Sequence, residues 1–352
     1  MVKKRILSVG TGGTYCSIAP LMAAAFNDLG HEAEHYYVSP DQYDPTLFAY
    51  RILMRTPLYV QGIRAYHTYK EHMGKLYLEK IKKFKPDLVF CTDFGDMAPH
   101  QMKKIVDEYG IPVAFWAQGG DEAYVNDFNP FGSDLLTNVS HLFIADTAWI
   151  DTLRLLGDAK IYYMPPAAGP GVFKPVFADR KYDLSIAASF AGDVPTVIHK
   201  GLILSRLCRD GFRVRAIAKG IPKRFGMFPD LAKLDYVDGY YGQPEVNVLY
   251  GETRINLSLA NPQHRSGPHF RVMEIAAGRN FQLTEYREDL ATLLGSTVPS
   301  FKTLDEMVEK ARFYLAHEGE RDRLAKESYE RVMRDHTTIV RAQEILEEVF
   351  TK

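Results

Sequence analysis

Short apolar runs alternate with amphipathic stretches through the first half of the chain, and the alternation restarts after a break rich in Pro and Gly. Strand-like runs fall at 5–9, 32–38, 88–91, 113–116, 141–145 and 161–164. Between them, apolar residues recur at helical spacing over 20–29, 66–84, 98–109 and 148–156, the last stopping at Gly157. Strands joined by helices in this way predict βαβ units and a parallel sheet. The stretch Met164-Pro-Pro-Ala-Ala-Gly-Pro-Gly-Val-Phe-Lys-Pro175 reads as an interdomain linker. Beyond it, strands are predicted at 182–188, 213–218, 255–259 and 281–284, and helices at 196–210, 245–250, 304–317, 320–335 and 340–350. A further short helix carries Arg271 and Glu274. The expected fold class is α/β, with one doubly wound domain over 1–172 and a second over 173–337. Open parallel sheets bind ligands beyond the C-terminal ends of their strands, which makes the cleft between the domains the default site.

Composition narrows the function classes. The 352 residues are 46% hydrophobic and 25% charged, with a formal net charge of −1, ample for packed cores and without the basic excess of a nucleic-acid binder. Cys16, Cys91 and Cys208 are scattered, which fits a reducing compartment and neither a disulfide framework nor a zinc site. The apolar run after Met1-Val-Lys-Lys-Arg5 is too short for a signal-peptide core, and nothing approaches the roughly 18 apolar residues of a membrane span. A cytoplasmic protein is expected. Residues 51–85 hold nine Lys and Arg against Glu71 and Glu79, interleaved with tyrosines. Such a face suits peripheral contact with an anionic membrane or a phosphorylated acceptor; the alternative is a solvated helix face with tyrosines at the core boundary.

Four constellations carry candidate chemistry. The first runs from His264 and Arg265 through Ser266, Gly267 and His269 to Arg271 and Glu274, ending at Gly278. Arginine and glutamate three apart share a helix face, and Gly-Pro before the helix points amides outward toward a phosphate. A carboxylate one turn further on suits the two hydroxyls of a ribose. The second is Gly10-Thr-Gly-Gly-Thr14 after the first strand, where Gly12, Gly13 and Thr14 either line the cleft or simply turn the chain. It lacks the G-x-G-x-x-G spacing of a dinucleotide fold. The third places Asp93 and His100 after one strand and Asp121 with Glu122 after the next. Carboxylates at that edge serve as a general base or bind sugar hydroxyls, and otherwise cap helices. The fourth is cationic, Lys200, Lys219, Lys223 and Arg224, of which Lys219 follows a strand of the second domain. Positive groups there would neutralise a leaving diphosphate, or be ordinary surface charges. No D-x-D triad sits on a clear strand end, so no metal ligand set is expected.

At these residues the chain resembles the GT-B glycosyltransferases, and most closely the CgeB-like branch of the group-1 families. The likeness is strongest over about 250–350: Arg254-Ile-Asn-Leu-Ser258, Phe270-Arg-Val-Met-Glu274 to Gly278, Leu283 to Leu290, Ser300 to Glu306, and the tail from His336 to Leu346. The resemblance implies two Rossmann-like domains facing across a cleft, with a final helix, about 338–352, crossing back to the first. It implies transfer of a sugar from a nucleoside-diphosphate sugar to a hydroxyl acceptor, without a separate cofactor. Arg271 and Glu274 would then hold the donor, with Lys219 and the amides near Ser266–His269 on the diphosphate. If the reaction inverts, Asp121 is the first choice of base, followed by Asp93 and His100. Retaining relatives pair two glutamates eight positions apart, and eight before Glu274 stands Ser266, which leaves the stereochemistry open. A nucleotide-sugar epimerase or hydrolase, or a non-catalytic partner protein on the same fold, are the alternatives.

Overall fold

The computed structural model describes residues 2–10, 18–38, 59–92, 99–117, 138–190, 194–239, 242–262 and 264–351. They build two sheets, each of six strands and parallel throughout. The first contains β1 (Arg5–Val9), β2 (Glu32–Tyr36), β3 (Leu88–Cys91), β4 (Val113–Ala117), β5 (His141–Ile144) and β6 (Lys160–Tyr163), in the order β2-β1-β3-β4-β5-β6. The second contains β7 (Tyr182–Ser189), β8 (Val214–Lys219), β9 (Asp235–Val237), β10 (Thr253–Ser258), β11 (Gln282–Glu285) and β12 (Ser300–Phe301), in the order β12-β11-β10-β7-β8-β9. Strand order reverses between β1 and β3 and between β7 and β10, and a doubly wound sheet opens its ligand crevice at that switch point.

The apolar runs read from the sequence are strands because both their faces are covered. Every residue of β3, β4 and β5 is buried. Trp116 is wholly buried on β4, and its indole N–H donates to the Met164 carbonyl at 3.2 Å. The covering helices of the first domain are α1 (Ile18–Asp28), α2 (Tyr59–Phe84), α3 (Pro99–Asp107) and α4 (Ile150–Arg154). Helix α2 starts seven residues before the expected 66, and the expected helix over 148–156 is a 3-10 turn, Thr147–Trp149, followed by only five α-helical residues. The second domain carries α5 (Val194–Arg209), α6 (Gln243–Gly251), α7 (Arg271–Ala277), α8 (Glu288–Leu294), α9 (Leu304–Ala316) and α10 (Glu318–Asp335). Strand β9 and helix α8 are too short to show a periodicity in the sequence. In the basic segment, Tyr77 of α2 is fully buried against Tyr36, and Lys80 pairs with Glu34. Part of that face is therefore structural.

The chain crosses between the sheets twice. Residues 164–181 lead out, and α11 (Thr338–Phe350) leads back, burying Ala342, Ile345 and Leu346 in one cluster with Ile6, Phe26 and Trp116. The two crossings touch at the backbone, where Ala168 donates to the His336 carbonyl and Thr338 to the Ala168 carbonyl, each at 3.0 Å. Arg341, 1% exposed, fastens them: its Nε donates to the Pro165 carbonyl at 2.9 Å and its Nη2 to His336 Nδ1 at 2.7 Å. Among the described residues no helix is long and apolar enough to cross a membrane.

Candidate functional site

The loop after β10 and the helix it feeds supply the densest set of buried polar side chains at the switch point of the second sheet. All seven residues of α7 are buried, so its two charged side chains are largely withdrawn from bulk water. Arg271 and Glu274 are 6% and 5% exposed, and Arg271 Nη1 lies 3.6 Å from Glu274 Oε2. The same guanidinium donates to the Tyr250 hydroxyl at 3.3 Å. Glu274 Oε2 has no hydrogen-bond partner among the described residues. Burial raises the Glu274 carboxyl to about 7, against the opposing pull of Arg271. Glu274 lines a small pocket with Ile18 and Leu21 of α1, Ala167, Gly169 and Phe173 of the crossing segment, and Gln243 and Phe270. It therefore faces the junction of the domains, beside the helix that follows the glycine loop.

Two histidines and a lysine extend this cluster. The rings of His264 and His269 lie 5.7 Å apart. Burial lowers His264 to about 4, and it holds His269 well below its ordinary value too, so both are neutral near pH 7. His269 Nδ1 accepts from the Arg271 amide at 3.3 Å, which leaves the hydrogen on Nε2. His264 Nδ1 has no partner among the described residues. Lys200 of α5 is 7% exposed, donates to Asn261 Oδ1 at 3.0 Å, and its charge contributes to the depression of both histidines. Of the four cations singled out in the sequence, Lys200 is the one beside these imidazoles. Lys219 ends β8, which β7 separates from β10, and Arg224 instead binds the Phe190 carbonyl through Nε and Nη2 at 3.1 and 3.0 Å.

The segment ahead of α7 is engaged differently from the expectation. Arg265 is exposed, with its guanidinium 4.5 Å from the centre of the Trp149 ring in the first domain. The amides of Arg265 and Ser266 donate to the carboxylate of Asp146, at the end of β5. The Ser266 hydroxyl is 2.6 Å from Asp146 Oδ1. Those two amides are therefore already partnered in this arrangement and do not point freely at a phosphate. Gly267 presses on the first domain so closely that a Cβ would lie 2.3 Å from the Ala145 carbonyl oxygen. Asp146, Thr147 and Asp289 went unrecognised in the sequence. An aspartate between a strand and a helix signals a cap, and Asp146 does cap the 3-10 turn through Ala148 N at 3.1 Å; its reach into the other domain has no local signal.

Asp93, Asp121, Gly12, Gly13 and Thr14 lie outside the described residues, and His100 is placed only as part of the backbone of α3. Among the described residues no group of three or more His, Cys, Asp or Glu is placed to hold a metal ion.

Two sheets of this order, joined by a double crossing and flanked by helices on both faces, make a two-domain α/β fold of the GT-B glycosyltransferase type. Residues 203–347 match the family described as glycosyl transferase-like. The chain resembles the spore protein CgeB of Bacillus subtilis (strain 168), which is 24% identical over 271 residues, spanning 72% of this chain and 79% of that protein. Sucrose-phosphate synthase from Thermosynechococcus elongatus superimposes with a TM-score of 0.69 at 12% identity, over 99% of this chain and 100% of that one. An α,α-trehalose 6-phosphate synthase from Burkholderia multivorans gives 0.64 at 10% identity, over 99% and 98%. HepE of Anabaena, solved in complex with UDP, gives 0.60 at 9% identity, over 99% and 100%.

Proposed function

We propose that the protein transfers a sugar from a nucleoside-diphosphate sugar to a hydroxyl acceptor, without a metal ion. The observation that carries this is the buried Arg271–Glu274 pair, whose carboxylate keeps one oxygen without a hydrogen bond among the described residues and faces the domain junction. A buried, unbonded carboxylate oxygen is costly unless a ligand completes it, and vicinal ribose hydroxyls are donors of the right kind. Arg271, Lys200 and the neutral His264 and His269 would then surround the departing diphosphate. The two cations would stabilise its negative charge as the bond from the sugar's anomeric carbon to the phosphate oxygen breaks. The neutral imidazoles would add N–H donors. HepE, a protein of the same fold, was solved in complex with UDP, which supports a nucleoside-diphosphate ligand.

The acceptor would sit against the first domain, beyond β1, β3 and β4. In an inverting reaction Asp121 would take the acceptor proton as its oxygen attacks, with Asp93 and His100 as the next candidates. The test is calorimetry of nucleoside diphosphates and their sugars against the whole chain, followed by turnover with acceptors. No binding of any common nucleoside diphosphate sinks the reading. Consumption of donor that never requires an acceptor would replace it with hydrolysis or epimerisation.

A further inference from the structure

The polar group that ties the two domains together most completely is not part of the pocket. Asp146 is 0% exposed and belongs to the first domain, yet most of its bonds go to the second. Its Oδ2 accepts from Arg265 N at 2.7 Å, both oxygens lie 3.2 Å from Ser266 N, and Oδ1 is 2.6 Å from Ser266 Oγ. A reciprocal tie runs the other way. Asp289, at the start of α8, accepts from Thr147 Oγ1 at 2.6 Å and from Thr147 N at 3.1 Å. Each domain thus gives one buried carboxylate to the other.

We propose that Asp146 is a positioning residue for the nucleotide-binding segment 264–271, so that a carboxylate of the acceptor-side domain sets the donor affinity of the other. This rests on the donor reading above. The segment has no sheet or helix bonds to fix its path between β10 and Arg271, and a loop without such bonds takes its shape from whatever else holds it. Its anchors include Asp146 on the amides of Arg265 and Ser266, Gly267 wedged against Ala145, the Ser266 hydroxyl on Thr147, Ala148 N and Asp289, and Asp289 N donating to the Ser266 carbonyl at 3.0 Å. Of these, only Asp146 hydrogen-bonds the residue directly after His264, and in this proposal His264, His269 and Arg271 depend on it for their placement. Binding groups must be held to within about half an ångström to work, which is the job of such a support.

Asp146→Asn tests this, because an amide offers one acceptor oxygen where the carboxylate offers two, and turns an N–H toward the donors of the segment. Donor KM, and the Kd for the nucleoside diphosphate that supports turnover, should rise at least tenfold, while kcat and acceptor KM stay within about threefold. Thr147→Val is the control. It removes the hydroxyl tie to Asp289 and the 2.9 Å contact of Thr147 Oγ1 with Ser266 Oγ while leaving Asp146 on both segment amides, so melting should fall with donor Kd within twofold of the parent. Ser266→Ala removes the hydroxyl's contacts with Asp146, Asp289, Thr147 and Ala148 N but keeps the Ser266 amide on Asp146, and should show the Asp146→Asn pattern at smaller size, about threefold in donor Kd. Unchanged donor Kd in folded Asp146→Asn overturns the proposal. So does a Thr147→Val protein that loses donor affinity equally, since a merely structural fastening would then explain both. If Asp146→Asn does not fold, an unchanged donor Kd in Ser266→Ala overturns it instead. An unmutated chain that binds no nucleoside diphosphate refutes the donor reading itself, a result distinct from these.

Discussion

Arg271 and Glu274 stand one turn apart on a helix buried along its whole length, and their charged groups are 3.6 Å apart, too far for a direct hydrogen bond. A pair held so loosely in a dry environment gains little from its own attraction and keeps bonding capacity for a third party. Glu274→Ala should therefore weaken nucleotide binding by tenfold or more, about 1.4 kcal/mol, with the larger effect on nucleosides that carry both ribose hydroxyls. Calorimetry with a nucleoside diphosphate and its 2′-deoxy form measures it; equal losses for both would refute the ribose assignment.

The same carboxyl makes affinity depend on pH. Raised to about 7, Glu274 is partly protonated in the free protein at neutral pH, and a protonated carboxyl accepts fewer hydrogen bonds. Nucleotide affinity should decline as pH drops from 8 to 6. Glu274→Gln should bind weakly and without that slope. A slope that persists in the glutamine variant would assign the titration to another group.

Stability should shift in the opposite sense. A carboxyl whose folded value is raised from 4.5 to about 7 favours the folded state fully below 4.5, and that contribution is lost as pH rises through 7. At pH 8 the unliganded chain carries nearly the whole cost, on the order of 3 kcal/mol for a shift of this size. Glu274→Gln should raise the melting temperature at pH 8 and change it little at pH 4, measured by calorimetric scans without ligand.

Three buried histidines work the other way. Burial lowers His141, His264 and His336 to about 4 each, and Lys160, Arg287 and Arg341 respectively add to the depression. A folded value below 6.5 stabilises the fold above pH 6.5 and is lost as pH falls toward 4. Denaturant midpoints should drop steadily over that window. His336 accepts from Arg341 through Nδ1, so His336→Gln, which keeps an acceptor but cannot titrate, should flatten part of the slope.

Gly267→Ala should be destabilising by about 1–3 kcal/mol, because its new methyl would overlap the Ala145 carbonyl and force the backbone of either domain to move. Thermal scans read the stability, and nucleotide Kd should rise as the segment shifts. An alanine variant that melts like the parent would show that this contact yields freely.

Much of this was legible in the residue pattern. The runs that became β3, β4 and β5 are apolar without interruption because both sheet faces are covered, and such runs are visible in sequence. The i, i+3 spacing of Arg271 and Glu274 placed both on one helix face, since helical geometry is local. The start of α2 was less legible, and so was the division of the region after Asp146 into a 3-10 turn and a five-residue helix. These bounds depend on capping and packing rather than on periodicity. Lys200 was one cation among four in the sequence, and only the packing of α5 beside the loop after β10 set it against His264 and His269.

The sequence by itself determined the α/β fold class, the family resemblance and the arginine–glutamate spacing, because each rests on local patterns of residues along the chain. Tertiary structure alone decided that Ser266 and Arg265 give their amides to Asp146, some 120 positions earlier, and that Glu274 faces Leu21. Burial also moved Glu274 and the histidines away from their ordinary titration ranges. The physical reason is range. Propensity and periodicity act within one element, whereas desolvation and cross-domain hydrogen bonds exist only once distant segments have met.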